Sequence, residues 1–181
     1  MNYLKKISLL LITFIAFTSC SSDDDNAVVP QSQNIVEIAL DSPDLSSLVA
    51  ALTAADGDLV NVLQGDGPFT VFAPTNEAFA AFLTSSGYEN LENVPTDVLS
   101  QVLLYHVVGG NVTSSDLTNP GETTAETLQG DSITITLPGT EENIANITDG
   151  SGASDIGIVA VDIEASNGVI HVLNKVMIPN L

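Results

Sequence analysis

The hydrophobic pattern of this chain changes period part-way along, and that change limits the fold more than any other feature. Up to Tyr105 the apolar residues recur at helical spacing. Leu45, Leu48, Val49 and Leu52 stand at i, i+3, i+4 and i+7, with Ser42-Pro43 as cap and first helical position. Leu59, Val62 and Leu63 repeat the spacing between Gly57 and Gly65. Phe79, Phe82 and Leu83 form a third stripe, and Leu99, Val102, Leu103 and His106 a fourth, begun by Thr96 and ended by Gly109-Gly110. After that the period becomes two. Ser132 to Leu137 alternates polar and branched residues, as a strand exposed on one side does, whereas Ile156–Ile163 and Val169–Ile178 carry the Val and Ile of strands covered on both faces. One strand, Phe69 to Phe72, interrupts the helical half and is stopped by Pro74. Helices first and strands later give an α+β fold, and no repeated βα unit points to a doubly wound sheet.

Residues 1–20 read as an export signal. Lys5 and Lys6 precede the apolar run Ile7–Phe17, which is too short to span a bilayer, a task needing about 20 residues. Phe17-Thr18-Ser19-Cys20 resembles a relaxed bacterial lipoprotein box, with Phe17 where Leu is usual, so Cys20 is the expected lipidation site. The competing reading is an ordinary signal peptide with an incidental cysteine. Two or three acyl chains at about 0.8 kcal/mol per buried methylene would tether the protein without inserting it. Ser21-Ser22-Asp23-Asp24-Asp25 is similar to the acidic tag of surface-exported Bacteroidetes lipoproteins, although a solvated linker explains the same residues. Residues 21–34 form a polar linker and 35–181 a single domain. The expected location is the outer membrane or cell surface, with the periplasm as the alternative.

Without residues 1–20, 23 acidic residues stand against Lys175 alone, a formal charge of −22. That balance repels phosphate backbones and excludes nucleic acid as a partner. It also destabilises the compact state by self-repulsion, which salt screens over a Debye length of about 8 Å at 0.15 M. The one cysteine allows no disulfide within the domain, so packing and backbone pairing carry its stability.

Two segments carry a family likeness. Gly67-Pro68-Phe69-Thr70-Val71-Phe72-Ala73-Pro74-Thr75-Asn76-Glu77-Ala78-Phe79 and Asn167-Gly168-Val169-Ile170-His171-Val172-Leu173-Asn174-Lys175-Val176-Met177-Ile178-Pro179, with Tyr105-His106 between them, resemble the signature blocks of the fasciclin (FAS1) domain. The resemblance spans about residues 35–181. It implies a wedge-shaped β-sandwich of about seven strands with helices along one edge, and a non-enzymatic adhesion module. In the family the Tyr-His pair is linked both to holding the first block and to receptor binding, which makes Tyr105 and His106 the interaction candidates. Asn174 stands where the family often has Asp.

From the residues alone, His106 lies on an apolar stripe, where a satisfied core histidine is commoner than a base; the expected bond is to the Thr75–Asn76 region. His171 alternates with Val169 and Leu173 and reads as a buried strand histidine. Thr75 or Asn76 caps the turn after the first strand, and Asn167-Gly168 makes a tight turn into the last. Two distant histidines and no domain cysteine leave no zinc set. Calcium is the one cofactor left open, through Asp149 and Asp155 in a glycine-rich loop that lacks the twelve-residue EF-hand pattern. Neither a Gly-x-Ser-x-Gly elbow nor a phosphate loop is present.

Three functions follow from these readings. The first is a lipid-tethered binding module for a surface protein or glycan, using the loops Gly109–Asn119 and Thr140–Ser154. The second is a structural or assembly factor of the cell envelope. The third is a carbohydrate-active enzyme working with two carboxylates.

Overall fold

A computed structural model describes residues 32–117, 120–140 and 143–180. The export signal, Cys20 and the acidic tag lie outside the described residues. Ser32–Leu181 forms one compact unit.

Among the described residues there are five α-helices: α1 (Ile35–Asp41), α2 (Ser46–Ala54), α3 (Leu59–Gln64), α4 (Asn76–Ser86) and α5 (Thr96–Tyr105), with one strand between the third and the fourth. The strands are β1 (Phe69–Pro74), β2 (Val107–Gly109), β3 (Gly121–Glu126), β4 (Ser132–Leu137), β5 (Ala145–Thr148), β6 (Ile156–Ala165) and β7 (Gly168–Leu173). They form a single sheet in the order β2-β1-β7-β6-β5-β4-β3. All neighbours are antiparallel except β1 and β7, which run parallel in the register Phe69↔Gly168 to Pro74↔Leu173. The two edges approach each other: Val108 bridges Thr127, and the Leu128 N–H donates to the Val107 carbonyl at 2.7 Å. The seven strands of the α+β expectation are therefore one sheet folded until it nearly closes.

Period-two alternation along β1 and β7 divides the interior into two cores. Val71, Ala73 and Ile170 face the helices and pack with Leu48, Leu52, Phe79, Leu99 and Leu103. Phe72 and Leu173 face the folded sheet and pack with Ile133, Ile135, Ile147, Ile156 and Ile158. Each fully buried side chain of this size contributes about 1.5–3 kcal/mol before entropy is counted.

Several local readings are corrected. Ser42 and Pro43 do stand at the cap and first position of a helical turn, the short 3-10 turn Pro43–Leu45 before α2, but the Ser42 hydroxyl makes no capping bond and donates back to the Ile38 carbonyl at 2.8 Å, while a capping box of Asn34 and Glu37 starts α1 earlier. Thr96 is not a cap. Pro95 occupies that position, and the Thr96 hydroxyl instead donates to Asp56 at 2.5 Å. The helix before Gly109-Gly110 ends at Tyr105, because the next residues pair with β1 as β2. The last strand stops at Leu173 rather than Ile178. There Asn174 turns the chain by bonding both the N–H and the carbonyl of Gly157, at 2.8 and 3.1 Å.

Candidate functional site

The two signature segments become neighbouring strands whose backbones meet too closely for side chains at the junction. A Cβ on Gly67 would lie 2.0 Å from the Asn167 carbonyl oxygen, and one on Gly168, at φ +157, 1.9 Å from the Phe69 carbonyl oxygen. Any other residue would force the strands apart. Asn167 then fastens this junction to the helices. Its side-chain amide donates to the Leu63 and Gly65 carbonyls at 2.8 and 3.0 Å and accepts from the Ile35 N–H at 3.0 Å. The tight-turn reading of Asn167-Gly168 captured the glycine and missed this threefold clamp.

At the other end of β1 the two cap candidates divide the work. The Thr75 hydroxyl accepts from the Ala78 N–H at 3.3 Å and caps α4, while the Thr75 N–H donates to the Leu173 carbonyl at 3.1 Å. Asn76 accepts from the Ser47 N–H and donates to the Pro43 carbonyl, both at 2.8 Å, which pins α2 to α4.

Tyr105 and His106, the interaction candidates by family resemblance, are both inside, where the apolar stripe places His106. Tyr105 is 0% exposed; its hydroxyl donates to the Ser132 carbonyl at 3.2 Å and accepts from the Gly150 N–H at 2.7 Å, holding α5 against the sheet. Burial raises its pKa above the ordinary phenol value. His106, 2% exposed, lies 2.7 Å from the Val102 carbonyl through Nδ1 and accepts from the Met177 N–H at Nε2, 2.9 Å away. Its anchor is thus the second signature block rather than Thr75 or Asn76, although its own carbonyl does accept from the Phe72 N–H of the first. This pattern requires a neutral ring with the proton on Nδ1. Burial pushes its pKa down to about 4, against weaker upward pulls from the Val102 carbonyl and Asp149.

His171 is buried on β7 in the same manner. Its Nε2 lies 2.8 Å from the Val112 carbonyl and its Nδ1 accepts from the Asp162 N–H at 3.3 Å, with the ring against Phe72. Asp162 holds a left-handed conformation, φ 57, at an irregularity of β6, and accepts from the N–H and hydroxyl of Ser114. Those bonds lower its pKa. No local sequence signal marked Asp162, because the partner of its carboxylate, Ser114, is distant in the chain.

The two calcium candidates are engaged by protein groups. Asp149 accepts from the Ser151 N–H and hydroxyl, the Ala153 N–H and the Ile178 N–H, at 2.7–3.1 Å. Asp155 pairs with Lys175, the only Lys or Arg among the described residues. Among the described residues no group of three His, Cys, Asp or Glu side chains is placed to hold a metal ion. Buried side-chain nitrogens and oxygens there all have a hydrogen-bond partner. Asn174, whose amide donates to the Asn143 side chain at 3.2 Å, makes a bond that Asp could not make.

The fasciclin-domain model matches residues 43–179, covering both segments and the Tyr-His pair. The chain belongs to the fasciclin family. Protein sll1483 of Synechocystis is 36% identical over 170 residues, covering 91% of this chain and 87% of that protein. The immunogenic protein MPB70 of Mycobacterium bovis is 30% identical over 156 residues, covering 84% and 73%, and the cell surface glycolipoprotein MPB83 of the same species 29% over 150, covering 80% and 60%. A solved FAS1 domain pair from the insect cell adhesion molecule fasciclin I superposes with a TM-score of 0.57 at 16% identity, over 74% of this chain and 45% of that one. The fold of this fasciclin domain is therefore that of an adhesion protein's domain.

Among the described residues, one open region lies beside the Gly67–Gly168 junction. A polar groove of about 470 Å³ runs from Asp66 past Asn111 and Ser166 and continues into a second lobe of about 350 Å³ bounded by Ser115 and Glu164. An apolar hollow of about 290 Å³ lies elsewhere, between α4 and Val176–Ile178, with the Lys175–Asp155 pair at its rim.

Proposed function

We propose that this fasciclin domain is a non-enzymatic binding module, tethered through lipid on Cys20 and displayed at the cell surface, where it contacts a protein or glycan. The observation that carries the proposal is that the chemically capable signature residues are consumed internally. Tyr105, His106 and His171 bond backbone groups in the interior, and Thr75, Asn76 and Asn167 fasten one element to another. A frame of this kind holds loops in place and offers no buried base to a substrate. The relatives support the same reading, since one is named a cell surface glycolipoprotein and the solved neighbour belongs to a cell adhesion molecule.

Two measurements test it. Metabolic labelling with a fatty-acid analogue should mark the wild-type protein and not Cys20→Ser, and protease shaving of intact cells should remove it. The soluble chain should then bind surface extract saturably, with and without calcium. Labelled but shaving-resistant protein that binds nothing would move the reading to a periplasmic assembly factor.

A further inference from the structure

We propose that the polar groove from Asp66 to Glu164 binds neutral sugar residues of a glycan, which rests on the binding-module reading and narrows its ligand. The two lobes share Asn111, Ala165 and Gly168, so they form one continuous channel, and each volume lies within the roughly 300–1,000 Å³ of small-ligand sites. The floor is low. Gly67 and Gly168 have no side chains because the strands touch there, and Pro68 and Ala165 offer C–H surface.

The polar side chains around this floor fall into two sets. Asn167, Thr113, Ser115 and Asp162 are already bonded within the protein, to Leu63 and Gly65, to Asp116, to Thr113, and to Ser114 respectively. Asp66, Asn111, Glu164 and Ser166 are exposed and their side chains make no hydrogen bond with the protein. The locked set fixes the wall and the free set faces the channel. The free set comprises two carboxylates that accept, one amide that donates and accepts, and one hydroxyl that does both. Sugar hydroxyls also donate and accept, so a row of them matches this mixture. A guanidinium or ammonium would use the carboxylates and leave the amide and hydroxyl donors unmet. Among the described residues no Lys or Arg lines the channel, which disfavours uronate, sulfate and phosphate groups.

The test uses the full-length chain in detergent. Neutral hexasaccharides of glucose, mannose and galactose, a tetragalacturonate and a penta-arginine peptide are titrated while amide chemical shifts and heats of binding are recorded. At least one neutral hexasaccharide is expected to shift the Asn111, Ser166 and Gly168 amides saturably. The triple variant Asn111→Ala/Glu164→Gln/Ser166→Ala should weaken that binding at least tenfold at unchanged melting temperature. A control variant Glu37→Gln, on α1, should bind as wild type does. No shift of the groove amides by any neutral hexasaccharide overturns the proposal, as does a preference for penta-arginine or binding that survives the triple variant. If the triple variant still binds surface extract, the groove assignment fails and the binding-module reading stands. If the wild type binds no extract, both fail.

Discussion

Acidification should weaken this protein through His106, and the size of the effect follows from the two nitrogens of its ring. Nε2 accepts from the Met177 N–H, so a second ring proton would point one N–H at another in a buried site. The unfolded chain binds that proton near pH 6.5, whereas burial pushes the folded value down to about 4. Between those values the unfolded state holds more protons, so the stabilising contribution is complete above pH 6.5 and is lost as pH falls toward 4. With 1.36 kcal/mol per pKa unit, the loss relative to pH 7 is about 2 kcal/mol at pH 5 and about 3 kcal/mol at pH 4. The carboxylates act in the same range with their own signs: protonating the acidic surface relieves self-repulsion, while Asp155 and Asp162, whose pKa values are lowered, hold their charge to lower pH. A variant separates the terms. His106→Gln keeps an acceptor that can reach the Met177 N–H and cannot titrate, so carboxylate effects are common to both proteins. Urea unfolding of the chain from Ser21 onward, from pH 7.5 to 4, should show the wild type more stable at neutral pH and the gap closing by about 2 kcal/mol at pH 5. In melting temperature that is roughly 4–8 °C for a domain of this size. A gap that stays constant from pH 7 to 4.5 would refute the assigned tautomer and the coupling to Met177.

Gly168→Ala should be the most damaging single methyl addition, since its Cβ would sit 1.9 Å from the Phe69 carbonyl oxygen; we expect a loss above about 3 kcal/mol, or no soluble protein, by calorimetry and expression yield. Asn167→Asp removes both donors to Leu63 and Gly65 while leaving an acceptor for Ile35, and should cost about 1–3 kcal/mol in urea unfolding. Tyr105→Phe leaves the Ser132 carbonyl and the Gly150 N–H without their bridge and should cost about 1–3 kcal/mol with the circular dichroism spectrum unchanged. Lys175→Met breaks an ion pair whose side chains are 47% and 70% exposed, so its effect on melting should be within about 1 kcal/mol. Raising sodium chloride from 10 to 500 mM should raise the melting temperature, because screening weakens the repulsion among 23 acidic residues.

The parts of this fold that were legible in the sequence are those whose cause is local. The stripes Leu45-Leu48-Leu52, Phe79-Phe82 and Leu99-Val102-Leu103 are buried because i, i+3 and i+4 share a helix face whatever lies opposite. The Ile133–Ile135 alternation of β4 is legible for the equivalent reason in a strand. In contrast, β2 has three residues, β5 four, and β3 reads Gly-Glu-Thr-Thr-Ala-Glu with no large apolar side chain. These strands exist because a neighbour offers unpaired backbone, and no periodicity within them records that. Helix α1 had a local signal, Asn34 and Glu37 three apart, which the stronger-looking Ser42-Pro43 pair masked. The histidines divide along the same line: their burial follows from their stripes, whereas the Met177 and Val112 partners lie 71 and 59 residues away.

That division bears on where function resides. The segments that identify the family are the frame of the molecule, and their polar residues reach inward or across to the next element. Signature residues of this kind report the fold and say little about the ligand, so an interaction assigned to Tyr105-His106 has to act through the shape they maintain. The free side chains alternate with locked ones along the same few residues. Asp66 precedes Gly67, Glu164 lies two residues after Asp162, and Ser166 directly precedes Asn167 and Gly168. A substitution at a locked position should lower stability and carry binding down with it. One at its free neighbour should change binding while the fold keeps its melting temperature, because exposed side chains without partners contribute little to folding. If the groove proposal holds, frame and surface are thus separable one residue at a time.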